Sequence, residues 1–167
     1  MGLHPCRAVP YQPGKYRRLS LIHIYALSRN LSGADGLICP AMDARCGQVY
    51  TALFESTPET ITRKTEDMAI SIEELGKLFE KEKKNVFLVG DGAELCYNNL
   101  KERRGGIYLA SNALRYQRAS GVAAAAAELA IRGLTVSAAQ LMPVYLRLPQ
   151  AERERLKKQH ILEENHV

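Results

Sequence analysis

The apolar run Val86–Val89 is followed at once by Gly90-Asp91-Gly92. A short apolar run without polar alternation predicts a strand buried on both faces, and strands of that kind belong to parallel sheets. The glycine triplet predicts a tight turn from this strand into a helix. This feature therefore predicts an α/β architecture, in which helices cover the sheet.

Three strand-like segments precede this run. Residues 37–42 and 48–55 are rich in side chains that fit a buried pleated surface, and the link between them has the length and the glycine of a hairpin loop. Residues 60–66 alternate and predict a third, more exposed strand. Because helices and strands alternate after these three strands, the order predicts a mixed sheet of the ribonuclease-H-like class with flanking helices.

Helices are predicted between and after the later strands. Ser71 and Glu74 have the spacing of a capping box, which predicts a helix start at this point. The helix after the glycine turn is expected to carry Leu95 inward. A last helix is expected over residues 120–133, and its alanine run at 123–127 is expected to pack closely against the sheet.

The chain divides into three parts by composition. Residues 1–24 contain three prolines and four basic residues without an acid, and show no period that could bury an apolar face, so we expect them not to pack on the rest. Residues 19–24 (LSLIHI) match what one frame of a transposon-derived library adapter would encode, which favours a non-native leader over a disordered one. Residues 25–150 form the α/β unit, and residues 151–167 a charged helical or frayed tail.

Charge and composition exclude several classes of function. The leader carries +4 of the net charge of +5, so the remaining part, at +1, does not predict a nucleic-acid-binding surface. No apolar stretch is long enough for a membrane span, and we expect a cytoplasmic protein. The cysteines form no C-x-x-C pair and no two histidines lie three or four residues apart, so neither a metal centre nor a disulfide framework is predicted.

Three segments resemble motifs of the TsaB family. They are residues 43–50 (DARCGQVY), 89–93 (VGDGA) and 143–147 (PVYLR). Together they extend the resemblance over residues 25 to about 155. The candidate site or interface residues on these motifs are Asp43, Arg45, Gly47, Tyr50, Gly90, Asp91, Gly92, Pro143, Tyr145 and Arg147.

The resemblance implies the C-terminal lobe of an actin-like, two-lobed fold. It also implies a non-catalytic subunit, without cofactor or metal, that supports the transferase TsaD in making threonylcarbamoyladenosine in tRNA. TsaC and the ATPase TsaE complete that pathway, and contact with tRNA would be indirect. The chain departs from the family at Cys46, where a polar or basic residue is usual. It also has no counterpart of the first lobe, which supplies the main TsaD contact in that family.

Each motif also allows an interpretation that does not depend on the family. The Gly90-Asp91-Gly92 turn could cradle a phosphate at a helix N-terminus, but it lacks a complete phosphate-binding motif. A tight turn with Asp91 as the N-cap is the favoured interpretation. Asp43 and Arg45 could form a local ion pair in a hairpin turn or belong to a partner-facing loop.

The closing segment allows two interpretations as well. Tyr145 and Arg147 alternate on an extended stretch and could anchor an interface, or the stretch could dock back on its own domain.

Rival functions lack required residues. A catalytic TsaD paralogue needs a paired-histidine metal motif, which is absent. An actin-like-fold ATPase would lack half of its cleft. A ribonuclease-H-like nuclease needs carboxylates converging on two metals, and residues 37–42 contain no acid. A missing first lobe also leaves self-association possible.

Overall fold

The computed structural model describes residues 17–138, 141, 142 and 155. Side chains are described for residues 23–138 and 155. In chain order the elements are β1 (Arg17–Arg18), α1 (Leu19–Arg29), β2 (Gly36–Asp43), β3 (Gln48–Thr51), β4 (Phe54–Ser56), β5 (Ile61–Arg63), β6 (Met68–Ser71), α2 (Ile72–Glu80), β7 (Val86–Val89), α3 (Ala93–Leu100), β8 (Ile107–Leu109), α4 (Asn112–Arg115), α5 (Ala119–Ile131) and β9 (Leu141–Met142).

Strand β2 lies at the centre of the main sheet. It pairs antiparallel with β3 and β4 along one edge and parallel with β7 along the other, and β7 pairs parallel with β8. Strands β6 and β5 pair with β3 and β4 respectively, as the outermost strands on that side. The order agrees with the predicted ribonuclease-H-like layer of three antiparallel strands followed by alternating helices and strands.

The second and third of the predicted antiparallel strands are each interrupted in the middle. β3 and β4 are halves of one strand interrupted at Ala52 and Leu53, and β5 and β6 are halves of the next. The Leu53 amide donates to Thr65 Oγ1 at 2.9 Å, and the Leu53 carbonyl accepts from the Lys64 amide at 2.8 Å. The predicted third strand at 60–66 is therefore two short pieces that reach residue 71.

One face of the sheet is covered by α2 and α3. The predicted capping box starts α2: Ser71 Oγ accepts the Glu74 amide at 3.1 Å, and the Glu74 carboxylate accepts the Ser71 amide at 3.0 Å. Leu75 and Phe79 of α2 are fully buried in the core on this face. Burial of side chains of this size stabilises the fold by about 1.5–3 kcal/mol each.

Helix α1 covers the opposite face, and α5 packs mainly on α1. The Tyr25 ring stacks on Phe54 at 5.7 Å, while Arg29 of α1 forms an ion pair with Glu128 of α5. The expectation that the alanine run packs on the sheet is wrong, because α1 already occupies that face. Ala125 is buried, whereas the other four of the five alanines at 123–127 are exposed in the outermost helix.

The expectation that residues 1–24 do not pack is wrong at Ile24. Helix α1 begins at Leu19 and includes Ile24, whose side chain is buried in the core and only 1% exposed. The helical period was missed because its apolar positions lie on both sides of the boundary at residue 24. In addition, β1 pairs in parallel with β9. The division at residue 24 and the adapter origin of residues 19–24 stay predictions, and residues 1–16 lie outside the described residues.

Gly121 permits the close approach of α5 to α1, and its replacement tests this packing. A Cβ at Gly121 would lie 2.6 Å from the Ala26 carbonyl oxygen, whereas a Cβ at Gly105 would meet no atom within 4 Å. We expect Gly121→Ala to lower the free energy of unfolding by about 1–3 kcal/mol, as overpacking does. Gly105→Ala should change it by less than about 0.5 kcal/mol. Urea unfolding followed by circular dichroism measures both, and equal effects would contradict the described packing.

Candidate functional site

The hairpin loop between β2 and β3 has an unusual backbone. Arg45, Cys46 and Gly47 have φ values of 64°, 55° and 69°, so three consecutive residues are left-handed. Asp43 Oδ1 accepts the Arg45 amide at 2.7 Å, and the Gln48 amide donates to the Arg45 carbonyl at 3.1 Å. These bonds fix a tight turn in a conformation that residues other than glycine rarely adopt.

The glycine turn after β7 lies directly against this loop. The Gly92 amide donates to the Ala41 carbonyl at 2.9 Å, and Asp91 Oδ1 accepts the Asp43 amide at 3.2 Å. A Cβ at Gly90, where φ is +112°, would lie 2.2 Å from the Ala41 oxygen. Two of the three predicted motifs therefore meet at the carboxyl ends of the parallel strands β2 and β7. Open α/β sheets bind their ligands at this kind of edge.

Three amides at the glycine turn are already bonded within the protein. Gly90 donates to Arg115 at 2.7 Å, Gly92 to Ala41, and Ala93 to the Gly90 carbonyl at 3.2 Å. A phosphate cradle needs such donors free, so these three bonds favour the tight-turn interpretation. The expectation that Asp91 is the N-cap is wrong: Gly92 is the N-cap, because the Asp91 carboxylate bonds to the hairpin instead.

The other candidate residues occupy different surroundings. The Gly47 carbonyl accepts the Ile72 amide at 3.1 Å, which ties the hairpin loop to the start of α2. Tyr50 lies on β3 opposite Met42 and is half-buried against the core under α1. Arg45 extends into solvent with 87% of its side chain exposed and its guanidinium 3.8 Å from the Asp43 carboxylate. An exposed pair of this kind contributes at most about 1 kcal/mol.

The third predicted motif cannot be placed. Pro143, Tyr145 and Arg147 lie outside the described residues. Their proposed contribution to an interface stays a prediction.

Sequence reasoning missed three residues near the glycine turn. Leu95, expected inside, is 42% exposed, because α3 begins at Ala93 and turns its first, fourth and eighth residues inward. Counting the helical period from Ala93 would have found this. Tyr116 is 53% exposed. Arg115 joins α4 to α3 through an ion pair with Glu94 at 2.9 Å, and no sequence pattern indicated it.

The comparison with characterised proteins gives one relative. The chain is 27% identical over 136 residues to the tRNA threonylcarbamoyladenosine biosynthesis protein TsaB of Bacillus subtilis (strain 168), with 80% of this chain and 57% of that protein covered. The chain resembles TsaB, as its motifs predict. No family model matches it.

Two solved structures share the fold of this TsaB-like chain. A Pseudomonas aeruginosa protein described as similar to the peptidase YeaZ superposes with a TM-score of 0.57 at 22% identity, over 75% of this chain and 56% of that one. YeaZ from the same organism gives 0.54 at 19% identity, over 74% and 56%. The predicted actin-like α/β fold is confirmed. The chain spans little more than half the length of these proteins and of the Bacillus relative.

The core of this TsaB-like chain contains two buried cysteines whose thiols do not ionise readily. Burial raises the pKa of Cys96 to about 12, and burial also raises the pKa of Cys39, whose thiol lies 3.2 Å from Thr51 Oγ1. Thiols of this kind stay protonated at neutral pH and are poor nucleophiles and metal ligands. Among the described residues no three His, Cys, Asp or Glu side chains group as a metal site, and no helix is long and apolar enough to cross a membrane.

Gly90 holds the two motifs together, and Gly33 provides a matched control. Both have a positive φ, but a Cβ at Gly33 would meet no atom within 4 Å. Gly33→Ala should cost only backbone strain, about 1 kcal/mol. Gly90→Ala adds an impossible contact with the Ala41 carbonyl and should cost at least about 3 kcal/mol. Chemical denaturation of the two variants measures the difference, and equal losses would show that the turn does not depend on this contact.

Proposed function

We propose that the chain acts in the biosynthesis of threonylcarbamoyladenosine in tRNA as a non-catalytic subunit that supports a TsaD-like transferase. The observation that carries this proposal is the likeness to Bacillus subtilis TsaB over 80% of the chain. The shared fold with YeaZ agrees with it. Both comparisons cover just over half of the other protein, so the proposal concerns a part of such a subunit.

The geometry of the sheet edge supports a role in contact rather than in catalysis. The amides of Gly90 and Gly92 donate to protein carbonyls, so neither glycine amide is free to hold an ATPase phosphate at this turn. The Asp43 backbone amide donates a hydrogen bond to the Asp91 carboxylate, and within the described part of the chain no third acid joins these two to hold two metals. What remains accessible is a rigid loop with the exposed Arg45, suited to binding another protein.

The proposal includes partners and location. The direct partner is a TsaD-like transferase, with a TsaE-like ATPase in the wider complex, and the protein meets tRNA only through that complex. Its place is the cytoplasm, where tRNA is modified. The near-neutral charge of residues 25–167 supports the indirect role, because tight RNA binding depends on clustered basic side chains.

The outer face of α5 is apolar and exposed, which supports a contact with a further part of such a subunit. Ile131 is 87% exposed, and Ala123, Ala124 and Ala127 are exposed beside it. Helices that are apolar on every side are normally buried. An uncovered face of this kind favours self-association.

The first prediction from this function is the absence of intrinsic nuclease activity. The purified chain should not cleave RNA with Mg²⁺ or Mn²⁺, because two-metal hydrolysis needs several converging carboxylates. A gel assay with a labelled tRNA measures this, with Asp43→Asn and Asp91→Asn as controls. Metal-dependent cleavage that disappears in both variants would establish the nuclease alternative.

The second prediction concerns the missing lobe. Placing the first lobe of Bacillus subtilis TsaB before Leu19, so that α1 and the buried Ile24 are kept, should give a monodisperse protein that binds the TsaD-like transferase of that organism. The reason is that the central contacts of an interface carry most of its energy. The unmodified chain should self-associate and bind at least about tenfold more weakly. Size-exclusion chromatography and titration calorimetry compare the two. If the unmodified chain binds as tightly, the interface lies on residues 25–167, with Asp43, Arg45, Tyr145 and Arg147 the first positions to mutate.

A further inference from the structure

Arg45 and Cys46 occupy a backbone conformation that does not suit them. Their φ values of 64° and 55° lie in the left-handed region, where a Cβ meets the following carbonyl. Hairpin turns with this geometry favour asparagine and glycine at both positions. Folding alone would therefore favour other residues here.

The side chains of Arg45 and Cys46 make no strong contacts with the rest of the fold that would offset this strain. Arg45 is 87% exposed, and its one ion pair among the described residues, with Asp43 at 3.8 Å, is too long for a hydrogen bond. Cys46 is exposed as well. A residue that costs stability and makes no strong contact of its own indicates selection for a function outside the fold.

Hydrogen bonds fix the backbone of the loop, whereas the Arg45 side chain is exposed to solvent. Gln48 accepts from the Ala44 amide at 3.0 Å, and Gly47 accepts from Ile72. Asp91 holds the Asp43 amide from the glycine turn. The guanidinium thus extends from a rigid base, which lowers the entropy lost when it binds a partner.

The charges around Arg45 distinguish between two kinds of partner. A guanidinium binds carboxylate and phosphate equally well in geometric terms. Asp43, Asp91 and Glu94 lie near the same edge of the sheet, and Arg115 is already paired with Glu94, so this edge lacks the cluster of free basic side chains that binds a nucleic-acid backbone. Asp91 is exposed and forms no ion pair within the described part of the chain. Glu94 is paired with Arg115, and Asp43 lies 3.8 Å from Arg45, so the charges left for a partner are those of Arg45 and Asp91. This arrangement fits a protein surface that carries an acid opposite Arg45 and a base opposite Asp91.

We propose that Arg45 is an interface residue whose guanidinium pairs with a carboxylate on the protein partner of this chain. The proposal rests on the proposed function for the identity of that partner, the TsaD-like transferase. It adds the chemistry of the contact and the residue that makes it. The contact is secondary to that of a first lobe and belongs to residues 25–167.

Arg45→Asn and Cys46→Asn form a matched pair of variants. Asparagine tolerates the left-handed region, so each change relieves strain at one position of the same turn, but only the first removes the guanidinium. Both should raise the melting temperature of the full chain, by about 2–4 °C. Binding to the Bacillus subtilis TsaD-like transferase is measured by titration calorimetry in the full chain and in the form that carries a TsaB first lobe.

Arg45→Asn should weaken binding about five- to twentyfold and flatten its dependence on salt, since a charged pair is lost. Cys46→Asn should leave binding within about twofold. A lower melting temperature for Arg45→Asn would show a structural role and overturn the proposal. Equal binding of both variants and the unmodified protein would overturn it while leaving the proposed function intact. If the unmodified two-lobed form does not bind the transferase, both this proposal and the proposed function are overturned. If Arg45→Asn weakens only the binding of duplex RNA, the group that pairs with Arg45 is a phosphate and the proposed carboxylate contact is wrong.

Discussion

The close contact between the glycine turn and the end of β2 is the constraint on which the rest of the structure depends. Strands β2 and β7 are parallel, so the chain must leave β7 at the edge where β2 continues into its hairpin. Gly90 and Gly92 allow the two backbones to touch at Ala41, with no room for a side chain between them. The same contact sets where α3 begins and holds the hairpin loop at Asp43. The fold and the candidate interface therefore depend on the same set of hydrogen bonds.

Much of the fold could be predicted from the sequence because its determinants are local. The order of strands, the capping box of α2 and the glycine turn each depend on residues close in sequence. The arrangement of α1 and α5 could not be predicted in the same way. Whether an alanine-rich helix meets the sheet depends on whether another helix covers it first, and here α1 does. The start of α1 at Leu19 is not evident from the sequence, because the adapter-like segment 19–24 shows no helical period without the residues after it that complete the helical face.

The candidate site could be located from sequence but not understood from it. The motifs at 43–50 and 89–93 gave the right segments, and the structure shows that they touch. Sequence could not tell that Asp91 bonds to the hairpin instead of capping α3, since both uses need the same residue type at the same turn. It also could not reveal the left-handed turn at Arg45 and Cys46, because neither residue type is typical of that conformation. Leu95 is exposed because the residue at which α3 begins decides which side chains face the core, and the sequence pattern did not predict that residue.

The broken strands have a consequence for how molecules of this chain could assemble. β5 and β6 form the outer edge as pieces of three and four residues, and the opposite edge, β8, has three. Arg63 and Asp67 form an ion pair across the break, 2.6 Å apart. Short, interrupted and charged edges are poor templates for a strand from another molecule. Growth into open-ended fibrils by pairing of sheet edges is therefore disfavoured in this fold, most of all at the interrupted edge of β5 and β6.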